Sequence, residues 1–291
     1  MKDFRAYRSW LFVPGDSERK LAKAWSSGAD VIIVDLEDAV SAENKRQARL
    51  TATTAIGDAR AAGIATTVVV RINGLETGLA EEDIQAVARL AVDGIVLPKV
   101  RGAADVAEAA RRLDAAEPSG AAHLAIIPIA TEVPAAIFAL PEIASAHRRV
   151  RGIFWGMEDL GAEIGARRTR RDDGEILEAF RTVRSLALFA ASAAGIASVD
   201  TPFVDIANAA GLEHEATEAS WMGFSGKLAI HPAQVEAINV AFSPTADEIA
   251  EAETILCLSR DGGGAAFRYK GRMIDTPHLV AAERLLARTM R

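Results

Sequence analysis

The chain reads as a (β/α)8 TIM barrel with a C-terminal helical extension, and three observations carry that reading. Eight short apolar runs rich in Val and Ile alternate with eight Ala-rich segments of helical periodicity, and they fill about 240 residues, the count and length of one barrel. No Pro/Ser/Gly-rich linker interrupts the chain before residue 240 or so, so these units form a single domain. The rival, a doubly wound open sheet, fits less well because no Gly-x-Gly-x-x-Gly turn follows the first strand.

Taken in order, the strands are expected at 9–13, 31–36, 67–72, 94–97, 123–129, 152–155, 197–199 and 224–229. The helices that follow them are expected at 17–26, 42–62, 80–90, 103–115, 133–146, 175–194, 208–221 and 232–239. Asp16 or Ser17 is placed to cap the first helix and Ser41 the second. Pro134 and Pro232 suit the first turns of later helices, where a missing N–H costs little. The domain division that results is 1–240 for the barrel and 241–291 for the extension.

Composition excludes several classes of function. A net charge of −7 and the lack of a long basic stretch argue against a nucleic-acid partner. The cluster Arg167-Arg168-Thr169-Arg170-Arg171 is followed at once by acidic residues and reads as a solvated loop or helix start. The single cysteine, Cys257, lies beside Ile255, Leu256 and Leu258 in a helical pattern and is expected to be buried and inert, with no disulfide framework. Nothing resembles a signal sequence or reaches membrane-spanning length, so a soluble cytoplasmic protein without membrane partners is expected.

Chemistry concentrates at the ends of the expected strands, which in a parallel barrel share one rim. The second ends in Asp35-Leu36-Glu37-Asp38, the third in Arg71-Ile72-Asn73, the fourth in Pro98-Lys99, the fifth in Glu132 and the sixth in Glu158-Asp159. Glu132 and Asp159 would converge without Cys or His nearby, a hard oxygen site suited to Mg²⁺, with Mn²⁺ a substitute. So many carboxylates would repel one another unless a divalent cation or cationic side chains offset them. Arg71 can grip a substrate carboxylate with two parallel hydrogen bonds, or pair with Asp35 or Glu37, and the two roles are compatible. Lys99 reads as a rim charge; it is not placed as a Schiff-base lysine would be.

Six segments occur in order: Arg8-Ser9-Trp10-Leu11-Phe12-Val13-Pro14-Gly15, Asp35-Leu36-Glu37-Asp38-Ala39-Val40, Arg71-Ile72-Asn73, Leu97-Pro98-Lys99, Gly156-Met157-Glu158-Asp159-Leu160 and Ile230-His231-Pro232-Ala233-Gln234. Together they resemble the HpcH/HpaI aldolase and citrate lyase β-subunit family, in the branch of malyl-CoA and citramalyl-CoA lyases. The resemblance implies that Glu132 and Asp159 hold Mg²⁺ and that Arg71 binds the substrate carboxylate or carbonyl. It further implies that Phe12, Arg19, Lys23, Ile230 and His231 contact CoA, with His231 serving structure more than proton transfer. Arg19 and Lys23, four apart on a helix, share one face. Gly271-Arg272-Met273-Ile274-Asp275-Thr276-Pro277-His278 resembles the family's lid, whose aspartate enters the neighbouring subunit's active site in a trimer. On the residues alone Asp275 is a helix cap. The glycine-rich stretch 261–270 before it reads as mobile.

The activity implied is carbon–carbon cleavage of a β-hydroxyacyl-CoA thioester into acetyl- or propionyl-CoA and an α-keto acid, or the reverse. Asp275 would exchange the proton of the thioester enolate carbon. The acceptor of the hydroxyl proton is open between water at the metal and a carboxylate among Asp35, Glu37 and Asp38. A homotrimer or dimer of trimers is implied. Two further readings are a citrate lyase β subunit, acting on a carrier-protein thioester with partner subunits, and a non-catalytic protein of the same fold.

Overall fold

The computed structural model describes residues 2–262 and 266–289. The chain divides between Asn239 and Val240 into two compact units. The first is an eight-stranded parallel barrel. Its strands are β1 (Ser9–Pro14), β2 (Val31–Asp35), β3 (Thr67–Arg71), β4 (Gly94–Leu97), β5 (Ala125–Pro128), β6 (Gly152–Phe154), β7 (Ala197–Asp200) and β8 (Gly226–Ala229). The order β5-β4-β3-β2-β1-β8-β7-β6 runs once around the barrel. Parallel bridges Ile126↔Val150 and Ile129↔Phe154 join β5 to β6, and the Ala130 N–H donates to the Phe154 carbonyl at 2.9 Å, so the sheet closes.

Alternation fixes what each strand presents. Trp10, Val31, Ile33, Val69, Val96, Ile127, Phe154, Val199 and Leu228 point inward and fill the barrel, with Phe4 packed on Trp10 at 5.6 Å between ring centroids. Their neighbours in sequence face the helices. Gly226 is required where β8 meets the chain ahead of β1, because a Cβ there would lie 2.3 Å from the Arg8 carbonyl oxygen.

The first unit's helices are α1 (Glu18–Ala24), α2 (Lys45–Ala61), α3 (Ala80–Val87), α4 (Ala103–Ala116), α5 (Pro134–Ile137), α6 (Leu140–Ser145), α7 (Met157–Glu163), α8 (Glu178–Ala194) and α9 (Ala209–Met222), followed by α10 (Val235–Ala241) across the division. Ser17 caps α1, its hydroxyl accepting from the Lys20 N–H at 3.4 Å. Ser41 stands at a cap position ahead of a 3-10 turn and makes no side-chain cap bond, contrary to expectation. The single helix expected over 133–146 is two. Pro141 has no N–H to continue the ladder and its ring crowds the preceding turn, so α5 ends before it and α6 begins. Glu158 and Asp159, expected at the end of the sixth strand, lie instead in the first turn of α7. Arg167 to Arg171 lie in the loop between α7 and α8, as one of the two readings expected.

The second unit contains α11 (Ala246–Gly262), a hairpin of β9 (Phe267–Tyr269) and β10 (Arg272–Ile274), and α12 (Thr276–Ala287). It has its own small core of Ala252, Ile255, Ile274 and Ala282. Cys257 is exposed, a correction to the expected burial. Two residues on from Ile255 is about 200° around a helix of 3.6 residues per turn, away from that core. Of the stretch expected to be mobile, 263–265 lies outside the described residues. No helix among the described residues is long and apolar enough to cross a membrane.

Candidate active site

The C-terminal ends of β2 to β6 bring five carboxylates and two cations together. Asp35, the last residue of β2, is buried. Its oxygens accept from the N–H groups of Glu37 at 2.9 Å and Ala39 at 3.2 Å, which folds the Asp35–Ala39 turn back over the strand end. Arg71, in register with Asp35 on β3, donates to the same carboxylate from Nε at 2.8 Å and Nη2 at 2.5 Å. Arg71 Nη1 lies 2.9 Å from Glu37 Oε2, yet that buried oxygen has no aligned hydrogen bond. Asp35 takes the hydrogen on Nε and one of those on Nη2, leaving one on Nη2 and both on Nη1 without a protein hydrogen bond. The Phe12 ring stacks on the guanidinium, 4.8 Å from its centroid. Arg71 is thus held rigidly while its end-on donor pair stays available.

Glu132 follows β5 and is nearly fully buried. One oxygen accepts from the Lys99 N–H at 2.6 Å, and the neighbouring Thr131 hydroxyl accepts from the Gly156 N–H at 2.8 Å. Gly156 is small for a reason: a Cβ would come within 3.1 Å of Glu132 Cγ. Asp159, in the first turn of α7, faces Glu132 across the Lys99 side chain. Lys99 was read only as a rim charge. In the structure its ammonium pairs with Asp159 and lies 3.5 Å from Asp38 and 3.8 Å from both Glu37 and Glu132. Its backbone takes φ +55°, a left-handed conformation rare outside glycine.

Charge in this cluster is strained toward the negative. Burial, opposed by Lys99 and reinforced by Asp159 and Glu37, pushes Glu132 up to about 8. Burial likewise pushes Glu37 up to about 7, with Arg71 and Lys99 pulling down and Asp38 and Asp35 pushing up. Burial opposes the Lys99 ammonium, but Glu132, Asp159 and Glu37 outweigh it and raise its pKa. Five acids against two bases leave a surplus that one divalent cation would relieve. The donors are all oxygens, and Glu37 Oε2 is a buried acceptor with no hydrogen bond, so the residues fit a hard cation.

The remaining sequence candidates lie apart from this cluster. Arg19 and Lys23 are exposed on α1, on one face. Ile230 is 38 % exposed, and its N–H and that of His231 donate to Gln234 Oε1 at 2.9 and 3.2 Å. His231 caps the turn at Pro232, its Nδ1 accepting from the Ala233 N–H at 3.2 Å. Asp275 stands at the N-cap of α12 in the second unit, its Oδ1 2.6 Å from His278 Nδ1. Asn73 is buried and structural, donating to the Leu36 carbonyl and Asp83. Glu158 is exposed on α7 beside the cluster's Asp159.

The sequence model of the HpcH/HpaI aldolase/citrate lyase family matches residues 8–232, which span every strand of this barrel and the whole carboxylate cluster. The chain belongs to that family. A citrate lyase subunit beta-like protein of Mycobacterium tuberculosis is 38 % identical over 279 residues, covering 96 % of this chain and 94 % of the relative. A (3S)-malyl-CoA thioesterase of Cereibacter sphaeroides is 36 % identical over 286 residues, covering 97 % and 94 %. Among solved structures, the CitE protein of Mycobacterium tuberculosis in complex with magnesium, acetoacetate and coenzyme A superposes with a TM-score of 0.84 at 35 % identity, covering 99 % of this chain and all of that one. Citrate lyase beta-like members of the family are lyases, and the chain is an enzyme of this family.

Proposed function

We propose that the protein is a Mg²⁺-dependent lyase that cleaves, or forms, a β-hydroxyacyl-CoA thioester of the malyl, methylmalyl or citramalyl type. The products of cleavage are acetyl- or propionyl-CoA and an α-keto acid. The observation that carries this reading is the convergence of Glu132, Asp159 and a rigidly held Arg71 at one barrel mouth. The solved relative holding magnesium, a keto acid and coenzyme A supports the same ligand set.

Glu132 and Asp159 would hold the cation, with Glu37 beside them. When bound, Mg²⁺ supplies Lewis-acid polarisation of the substrate oxygens. Arg71 binds and orients the substrate carboxylate through its two outward hydrogens, and Asp35 and Phe12 keep that pair aimed at the mouth. A carboxylate of the Asp35–Asp38 turn takes the hydroxyl proton, and Glu37, between Arg71 and the proposed cation site, is placed to do so. The electron pair of the breaking carbon–carbon bond passes to the thioester enolate, and its carbon is protonated by Asp275. That aspartate belongs to the second unit, which we assign as a lid acting on the neighbouring subunit of a trimer or dimer of trimers. Arg19, Lys23, Phe12, Ile230 and His231 line the path of CoA in this reading, although Phe12 also serves Arg71.

The (3S)-malyl-CoA thioesterase relative favours a second reading, hydrolysis of the thioester without carbon–carbon cleavage. A third, action on a carrier-protein thioester, follows from the citrate lyase beta-like relative. Products separate them. Malyl-, β-methylmalyl-, citramalyl- and citryl-CoA would be offered to the purified chain with Mg²⁺ or EDTA, and products identified by mass spectrometry, beside Glu132→Ala and Asp275→Asn. Acyl-CoA plus keto acid, lost with EDTA and in both variants, is the expected outcome. Free CoA plus hydroxy acid as the only products would replace lyase with thioesterase. Turnover of none of the four by the Mg²⁺-loaded chain would move the reading to a carrier-borne substrate.

A further inference from the structure

Lys99 stands out because its position is costly in two ways. A non-glycine residue at φ +55° holds a left-handed backbone in which its Cβ crowds the following carbonyl oxygen. Its ammonium also lies half-buried among four carboxylates, Glu37, Asp38, Glu132 and Asp159. The backbone conformation links the two: the same residue aims its N–H at Glu132 Oε2, at 2.6 Å, and its side chain across the mouth to Asp159. Backbone and ammonium therefore hold opposite sides of the proposed cation site.

These two holds differ in what happens when a divalent cation arrives. The N–H bond to Glu132 is compatible with a cation on the other oxygen of that carboxylate. The ammonium is not, since it occupies the space between Glu132 and Asp159 and repels a second positive charge there. Asp38, largely exposed and 3.5 Å from Nζ, offers the side chain a landing place toward solvent. Resting on the reading of Glu132 and Asp159 as metal ligands, we propose that Lys99 is a resident counter-ion which keeps the carboxylates assembled in the metal-free protein, and which the incoming Mg²⁺ must displace from Asp159 toward Asp38. Lys99 is then a positioning residue that sets the metal affinity below what the carboxylates alone would give.

The test uses the full chain, stripped of metal with EDTA and titrated with MgCl₂ in a calorimeter, above the pH range in which Glu37 and Glu132 titrate. Wild type is compared with Lys99→Met and with Lys99→Gly, the latter removing the ammonium while relieving the positive-φ backbone. Both variants are expected to bind Mg²⁺ at least about tenfold more tightly than wild type. In parallel, both should melt at a lower temperature than wild type without metal, and gain more on adding Mg²⁺. Unchanged or weaker Mg²⁺ binding in both variants, with wild type binding normally, overturns the counter-ion role and leaves the metal reading standing. Failure of wild type to bind Mg²⁺ at all overturns both.

Discussion

At the scale of single residues, the site depends on how closely Glu132 is packed. Gly156 leaves just enough room for its Cγ, so Gly156→Ala should displace the carboxylate, weaken Mg²⁺ binding severalfold, and cost only about 1 kcal/mol of stability as a mild overpacking. Calorimetry and thermal melts on the same sample check both parts, and unaltered metal affinity would show that Glu132 has slack. The raised carboxylates make a second prediction. Glu37 and Glu132, at about 7 and 8 against an ordinary 4.5, keep protons in the folded metal-free protein that the unfolded chain has already released. Stability of the metal-free protein should therefore fall as the pH rises from about 5 to 8, by an amount on the order of 6 kcal/mol for the two groups together, and Mg²⁺ should bind more weakly as the pH drops below 8. Urea titrations across that range test the first slope, and Glu132→Gln should flatten it. Glu132, Asp159 and Arg71 were legible in the sequence because a carboxylate or guanidinium directly after an apolar run is conspicuous. Lys99's role was not, because a lysine at a strand end is usually a solvated charge and nothing in its side chain announces a left-handed backbone.

At the scale of elements, the barrel wall hides a second charged network that the reading of motifs passed over. Lys227 of β8 is fully buried and donates to Asp200 of β7 at 2.7 Å, to the Thr201 carbonyl at 2.7 Å and to Glu215 of α9 at 2.8 Å. Arg184 of α8 and the Trp155 indole complete the ring around Asp200. Burial opposes the Asp200 charge, but Lys227 and Arg184 outweigh it and hold its pKa below the usual carboxylate range. These side chains tie α8 and α9 to the strands behind the mouth. Lys227→Met should therefore leave Asp200 and Glu215 with uncompensated buried charge and cost about 3–5 kcal/mol, seen as a lower urea midpoint. A loss under about 1 kcal/mol would mean that water or Arg184 replaces the ammonium at little cost. The signal was present in the sequence as a lone lysine inside the apolar run 224–229. Its partners could not be read there, since the register of β8 on β7 and the packing of α8 and α9 against that pair decide which acids it meets.

At the scale of the molecule, activity is expected to require residues of two subunits. Co-expressed Glu132→Ala and Asp275→Asn chains, each inactive alone, should assemble sites that pair an intact mouth with an intact neighbouring lid. Random mixing predicts about a quarter of wild-type turnover. No recovery in purified mixed oligomers would place Asp275's action within its own chain or outside catalysis. What the sequence determined by itself is the periodicity: the alternation of apolar runs and helical segments requires eight parallel strands with their polar ends on one rim, and the ordered motifs mark the family. Only the tertiary structure decided which charges on that rim compensate one another, because pairings between Arg71 and Asp35, Lys99 and Asp159, or Lys227 and Glu215 depend on register and distance. The sequence places each of those groups on a strand or a helix. Strand register and helix packing bring them within reach of each other and out of water, and that desolvation sets their pKa values and their cost.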